Sequence, residues 1–196
     1  MRIFQEKGFV MLVFAKKIGT THFYDKENRH TVVTVLELIK TKVKGFRKQE
    51  KDGYDALILE GETAKNNHKI RERRITADKI GEYKEGQELD ISMFNEGDRL
   101  EIEGRSKGKG FAGVVKRHGF ATGPKTHGSH NYRQPGSIGS TYPQRTVKGR
   151  KMAGKMGQDK ITLRNVKVER IEKEKGRIWV KGHIPGAPKS LVFIKK

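Results

Sequence analysis

Asp98-Arg-Leu-Glu-Ile-Glu-Gly-Arg-Ser-Lys-Gly-Lys-Gly-Phe-Ala-Gly113 contains an abrupt change of texture. Its first half alternates apolar with charged side chains, Leu100 and Ile102 against Arg99, Glu101 and Glu103, the period-two pattern of a half-buried strand. Its second half has no period: glycine, lysine and serine follow one another and the acids stop. Residues 105–160 hold 13 Lys and Arg against a single acid, Asp159, a balance of +12, together with 11 of the 23 glycines. The remaining residues hold 30 bases and 22 acids, a balance of only +8. Ordinary globular sequence therefore flanks a middle that is not globular.

Outward from that boundary the flanks read as strands. Phe9-Val-Met-Leu-Val-Phe14 is apolar throughout, and Thr31-Val-Val-Thr-Val-Leu-Glu-Leu-Ile39 is rich in β-branched residues. Asp52-Gly53 turns the chain into Tyr54-Asp-Ala-Leu-Ile-Leu59. Residues 161–171 alternate again, Lys175-Gly176 turns, Arg177-Ile-Trp-Val-Lys181 returns, and Leu191-Val-Phe-Ile194 closes the series. Trp179 reads as a core residue. Helical signal is thin: residues 76–85 allow one short helix capped by Thr76 and limited by Gly81. Short strands with glycine turns indicate a mainly β chain, most simply a barrel.

The net charge is +20, which calls for a polyanionic partner. A membrane is the weaker candidate. The longest apolar run, residues 9–15, falls far short of the roughly 20 residues of a helical span. Lys16-Lys17 stand where a signal peptide would carry its small-residue cleavage site. Absence of cysteine excludes disulfides and thiol chemistry and suits the cytoplasm. In the middle segment, glycine and proline interrupt every pattern, and too little apolar surface is available to offset the entropy of ordering. Binding to phosphate offers another route to order. Arg105, Lys107, Lys109, Lys116, Arg117, Lys125, Arg133, Arg145, Lys148, Arg150, Lys151 and Lys155 are the candidate phosphate ligands. Gly108, Gly110, Gly136, Gly139 and Gly154 would let backbone pass close to RNA, and Ser106 opens the basic turn.

Competing readings of this segment fare worse. Gly108-Lys-Gly-Phe-Ala-Gly113 fits the dinucleotide fingerprint, but residues 114–119 make a poor helix start and no acid follows about 20 positions on. His118, His127 and His130 lack cysteine or carboxylate company for zinc, so bonding to phosphate or stacking on bases suits His118 and His127 better. Ser129, a nearby histidine and Asp159 do not have the scaffold of a catalytic triad. Phe111, Phe120, Tyr132 and Tyr142 lie among the cations and serve equally as stacking platforms or as anchors. No enzyme, cofactor, metal or small-molecule substrate is expected. The alternatives are a nucleotide-dependent or RNA-modifying enzyme and a free nucleic-acid-binding regulator.

Gly104-Arg-Ser-Lys-Gly-Lys-Gly-Phe-Ala-Gly-Val-Val-Lys-Arg117 resembles the signature of large-subunit ribosomal protein three, the universal "L-three" family, in its bacterial form. Thr126-His-Gly128, Pro135-Gly-Ser-Ile-Gly139, Lys148-Gly-Arg-Lys-Met-Ala-Gly-Lys-Met-Gly157 and Val180-Lys-Gly-His-Ile-Pro-Gly186 follow in the family's order, after Lys16-Lys-Ile-Gly19 and Asp52-Gly-Tyr54. The resemblance implies a six-stranded translation-protein-type β-barrel with a small α+β insertion and a long irregular basic extension. On this view residues 1–104 and 161–196 form the barrel, with the insertion at about 62–95, and residues 105–160 are the RNA-penetrating loop. It implies binding to large-subunit ribosomal RNA near its 3′ end, a part in starting subunit assembly, neighbouring large-subunit proteins as further partners, and a cytoplasmic, ribosomal location. It also puts the extension's tip, Thr141, Tyr142, Pro143 and Gln144, nearest the peptidyl-transferase centre. Thr20 stands where the family usually has Met, and Gln144 follows Pro143 where some relatives carry a methylated glutamine before the proline. Because the family-like segment begins at Met11, that residue is the expected initiator.

Overall fold

The structure is a computed structural model that describes residues 12–24, 28–63, 67–76 and 80–196. In chain order its strands are β1 (Leu12–Tyr24), β2 (His30–Leu38), β3 (Thr41–Arg47), β4 (Ala56–Thr63), β5 (Asn67–Arg74), β6 (Glu88–Leu89), β7 (Arg99–Arg105), β8 (Phe111–Ala112), β9 (Gly154–Lys155), β10 (Lys160–Glu172), β11 (Arg177–Lys181) and β12 (Leu191–Lys195). Among the described residues there are also two short helices, α1 (Gln49–Asp52) and α2 (Val114–His118), a 3₁₀ turn at Ile91–Met93, and a helical residue at Ile80. The chain is mainly β, as its alternation indicated. It divides into two compact units: residues up to 105 together with those from 160 onward, and Ser106–Asp159.

In the first unit, β1, β12, β7, β10, β11 and β2 pair in that order as a closed barrel, every pairing antiparallel. Register sorts the side chains. Val13, Ile194 and Ile102 lie opposite one another across β1, β12 and β7 and are fully buried. Leu36, Ile178, Val180, Val192 and Val168 belong to the same core. One residue along, Phe14, Phe193 and Glu103 form the next row. Successive strand residues face opposite ways, so this row belongs to the barrel's outer face. Phe14 is nevertheless buried, because a second sheet in the order β5-β4-β3-β6 covers it. Gly61 of β4 sits so close that a Cβ there would lie 2.7 Å from the Phe14 ring. Phe14 and Phe193 meet edge to face at 5.2 Å. This double coverage explains a continuous apolar run where an antiparallel strand normally alternates.

The smaller sheet takes its strands from residues 41–89. Several expectations need correction. Trp179 is not in the core. It points away from the face that Ile178 and Val180 bury and packs against Phe23 at 6.3 Å, with Arg170 over its ring at 5.6 Å. Residues 114–119, expected to make a poor helix start, nevertheless form α2 over 114–118, between Gly113 and a left-handed Gly119 at φ +70°. Glycine at the C-terminal stop relieves the steric cost of that turn, while the β-branched Val114 and Val115 are tolerated in a helix of five residues. Of the helix expected at 76–85, residues 77–79 lie outside the described residues. The described remainder turns at Gly81-Glu82, with the Tyr83 N–H donating to the Ile80 carbonyl, and does not continue as helix to Glu85. The expected start at Met11 also lies outside the described residues.

Side chains converge where β7 ends and β10 begins. Glu103 is buried, and its carboxylate meets Arg71 of β5 at 2.5 Å, Lys160 at 3.0 Å and Lys195 at 3.2 Å. Burial pushes this carboxyl up, but hydrogen bonds from Lys160 and Lys195 and the charge of Arg71 outweigh it, so Glu103 titrates below its ordinary value. Arg71 also lies 4.2 Å above the Phe193 ring, so one guanidinium ties the second sheet to the barrel by charge and by stacking. Lys17, also buried, donates from Nζ to the carbonyls of Ile184 (2.5 Å) and Gly186 (3.0 Å) and fixes the loop before β12.

Candidate nucleic-acid interface

The second unit begins as a two-stranded ribbon. The Ser106 N–H donates to the Asp159 carbonyl (2.9 Å), and the Asp159 N–H returns to Ser106 Oγ (3.1 Å). Further along, the Lys109 N–H donates to Met156 and the Met156 N–H to Gly110, both at 2.9 Å, before β8 and β9 pair Phe111 with Lys155 and Ala112 with Gly154. The two limbs run so close that a Cβ on Gly157 would collide with the Lys107 carbonyl, and Gly157 also has φ +78°. Only glycine suits both demands.

Beyond the ribbon, structure is irregular. Arg117 of α2 donates from Nη1 to the Met152 carbonyl (2.8 Å), and His118 Nε2 meets the same oxygen at 2.9 Å. Gly123 passes the opposite limb, its N–H bonded to the Tyr132 carbonyl (2.9 Å). Lys125 lies 5.4 Å from the Tyr132 ring, and His127 takes a left-handed φ of +58° in the turn before Gly128. At the tip the Tyr142–Pro143 peptide is cis, the Gln144 N–H donates to the Thr141 carbonyl (3.1 Å), and Ser140 Oγ donates to the Tyr142 carbonyl (2.6 Å). Thr141, Tyr142, Pro143 and Gln144 thus form one exposed reverse turn. On the return limb Arg145, Lys148 and Lys151 are exposed, and Arg150 donates from Nη2 to the Ser137 carbonyl (2.5 Å).

Two observations determine what this unit can do. First, Ala112 and Val114 are its only fully buried hydrophobic residues. Fixing a backbone costs roughly 1–2 kcal/mol per residue, whereas burying a side chain of this size returns at most about 3 kcal/mol. Residues 106–159 do not hold themselves in shape by burial. Second, among the described residues none of its 11 Lys and Arg meets a carboxylate. The barrel unit differs: there Lys42, Lys44, Arg47, Arg71, Lys160, Lys195 and Lys196 all have acidic partners. Phe111 and Tyr142, each 79% exposed, add flat aromatic faces to the unpaired charge. The combination of cations, open backbone and exposed rings suits a nucleic-acid backbone and its bases.

The candidate residues are not all alike. Gly108 and Gly154 lie against the chain's own Gln158 side chain and Arg117 guanidinium, whereas Gly110, Gly136 and Gly139 face open space. Arg105 and Ser106 stand at the root, and Lys107, Lys109 and Lys155 lie along the ribbon. Lys116 lies on α2, and Arg133 is exposed beyond it. Sequence reasoning missed Pro135, Ser137 and Ile138, which with Phe120 border a recess. Their signal was weak, since one isoleucine among glycines has no period to reveal it. The described residues contain no group of acids and histidines arranged for a metal, and no helix long and apolar enough to cross a membrane.

Comparison with known proteins bears on the same residues. A family model described as ribosomal protein L3 matches residues 26–178. The chain is 36% identical over 199 aligned positions to the large ribosomal subunit protein uL3 of Geobacillus thermodenitrificans (strain NG80-2), covering 93% of this chain and 94% of that protein. It has the same identity and coverage with the large ribosomal subunit protein uL3 of Geobacillus sp. (strain WCH70).

Proposed function

The chain belongs to the ribosomal protein L3 family, and from that premise we propose that it binds large-subunit ribosomal RNA through an extension, residues 105–160, that threads towards the peptidyl-transferase centre. It is a structural constituent of the large ribosomal subunit, not an enzyme, and it works in the cytoplasmic ribosome. In our reading the barrel is of the translation-protein type and rests on RNA near the 3′ end, where it helps begin assembly beside neighbouring large-subunit proteins. Arg105, Lys107, Lys109, Lys116, Arg117, Lys125, Arg133, Arg145, Lys148, Arg150, Lys151 and Lys155 neutralise phosphates. Ser106, Gly108 and Gly110 bring backbone to the RNA at the root, and His118 and His127 add contacts to phosphate or base. Thr141, Tyr142, Pro143 and Gln144 form the leading turn.

The observation that carries this reading is the set of 11 cations without a carboxylate partner among the described residues, held on a segment with almost no core of its own. Such a segment gains both its counter-charges and its order from a polyanion. Sedimentation of cell extract through high-salt sucrose tests the reading. The chain is expected at one copy per large subunit, and its loss from the subunit peak at a salt concentration that retains other core proteins would refute it.

A further inference from the structure

Within the extension, Phe120, Pro135 and Ile138 form the apolar walls of a recess of about 360 Å³, and Ser137, Arg150 and Lys151 form its polar border. This volume lies at the small end of the roughly 300–1,000 Å³ of ligand pockets. The recess is built rather than incidental. Arg150 is fixed across it by the hydrogen bond from Nη2 to the Ser137 carbonyl (2.5 Å), and its own N–H donates to the Val147 carbonyl (3.2 Å). The Ser137 hydroxyl is turned onto the Gly139 carbonyl (3.0 Å). Phe120 is braced by His118, whose ring lies 6.0 Å away at 44° and is anchored on the Met152 carbonyl at 2.9 Å. His118 does not line the recess, so it supports Phe120 without occupying the space beside it.

An apolar hollow with an aromatic wall and two cations at its edge distinguishes among possible occupants. A free anion would use the cations and gain nothing from Phe120, Pro135 and Ile138. An apolar side chain of a neighbouring protein would use the walls and leave the charges of Arg150 and Lys151 at the border without a counter-ion. A nucleotide uses both, because a flat base is joined to a phosphate and every base has a face that can stack. Resting on the RNA-bound extension argued above, we propose that this recess receives one unstacked nucleobase of the ribosomal RNA, laid against Phe120, with its phosphate on Lys151 and Arg150. The extension would then hold RNA by insertion at one point as well as by neutralisation along its length.

Two measurements on the intact chain test this. The first is electron cryo-microscopy of the large subunit, which is expected to show a base ring stacked on Phe120 inside the recess. The second is the affinity of the full chain for large-subunit RNA. Phe120→Ala is expected to weaken it by about 5- to 150-fold, the range of single base–aromatic stacks. Its salt dependence should not change, and Phe120→Trp should stay within about twofold of the wild type. A recess filled by a protein side chain, by an ion or by solvent overturns the proposal, as does wild-type affinity in Phe120→Ala or an equal loss in Phe120→Trp. A chain absent from the large subunit would instead overturn the RNA-bound extension itself.

Discussion

Glu103 gathers Arg71, Lys160 and Lys195 around one buried carboxylate beside the point where β7 leaves for the extension. Glu103→Gln keeps the shape and removes the charge. It is expected to cost about 1–3 kcal/mol, less than the ~3–5 kcal/mol of a fully buried pair because Arg71 and Lys160 remain partly in water. The pH dependence has a definite sign. A carboxyl whose value is lowered in the fold binds its proton more readily when unfolded, so its stabilisation is complete above the ordinary carboxylate range and is lost as pH falls through its folded value. Thermal melts from pH 7 to pH 3 should therefore show the wild type and Glu103→Gln converging as the pH falls. A gap that stays constant would remove Glu103 from this role. At this scale the two kinds of residue differ in how far the sequence reveals them. Lys107, Lys109, Lys148 and Lys151 are legible because a cation without neighbouring acids is visible in composition alone. Glu103 is not, because Arg71 and Lys195 are far away in sequence and only register brings them together. The recess beside Phe120 escaped for the same reason: Ile138 and Arg150 become neighbours only when the limbs fold back.

Among the elements, the extension and the barrel are held by different means, and they should fail differently. Limited proteolysis of the free chain is expected to cut first within residues 106–159, where backbone is exposed and burial is slight. Bound to RNA, the same bonds should resist. Equal protection in both states would show that the unit is self-supporting. Deleting residues 141–146 removes an exposed turn and no core side chain, so the barrel's melting temperature should change little. Subunit maturation or peptidyl transfer should suffer instead, and normal values for both would exclude a working tip. The strands of the barrel were readable wherever β-branched residues or alternation ran unbroken, as in β2, β7 and β11. β5, Asn-His-Lys-Ile-Arg-Glu-Arg-Arg, was not, because five of its eight residues are charged and its strand character comes from pairing along all of β4. β3 hid similarly behind Lys42, Lys44 and Gly45, where its register with β4 shifts. Trp179 was misplaced because alternation in β11 cannot say which face is inside until the core neighbours are known.

For the molecule as a whole, charge sets the strength of binding and topology sets where the charge is carried. Each phosphate neutralised adds roughly 0.7–0.9 to the slope of log affinity against log salt. With about half of the basic residues at 105–160 engaged, the slope for purified RNA should be about −5 or steeper. A slope near −1 would mean that these cations do not meet phosphate. The extension departs at Arg105 and returns at Lys160, which are paired partners in neighbouring antiparallel strands. Its 54 intervening residues therefore span a gap that a hairpin turn of a few residues would also close. Loop-closure entropy rises by only about 0.6 kcal/mol for each doubling of length, so growth from such a turn to the present length costs the barrel roughly 2 kcal/mol. Reach is in this way independent of foldability. A lineage can lengthen, shorten or rewrite the inserted segment by small insertions and deletions while inheriting the same barrel, and selection can act on the one without reopening the other.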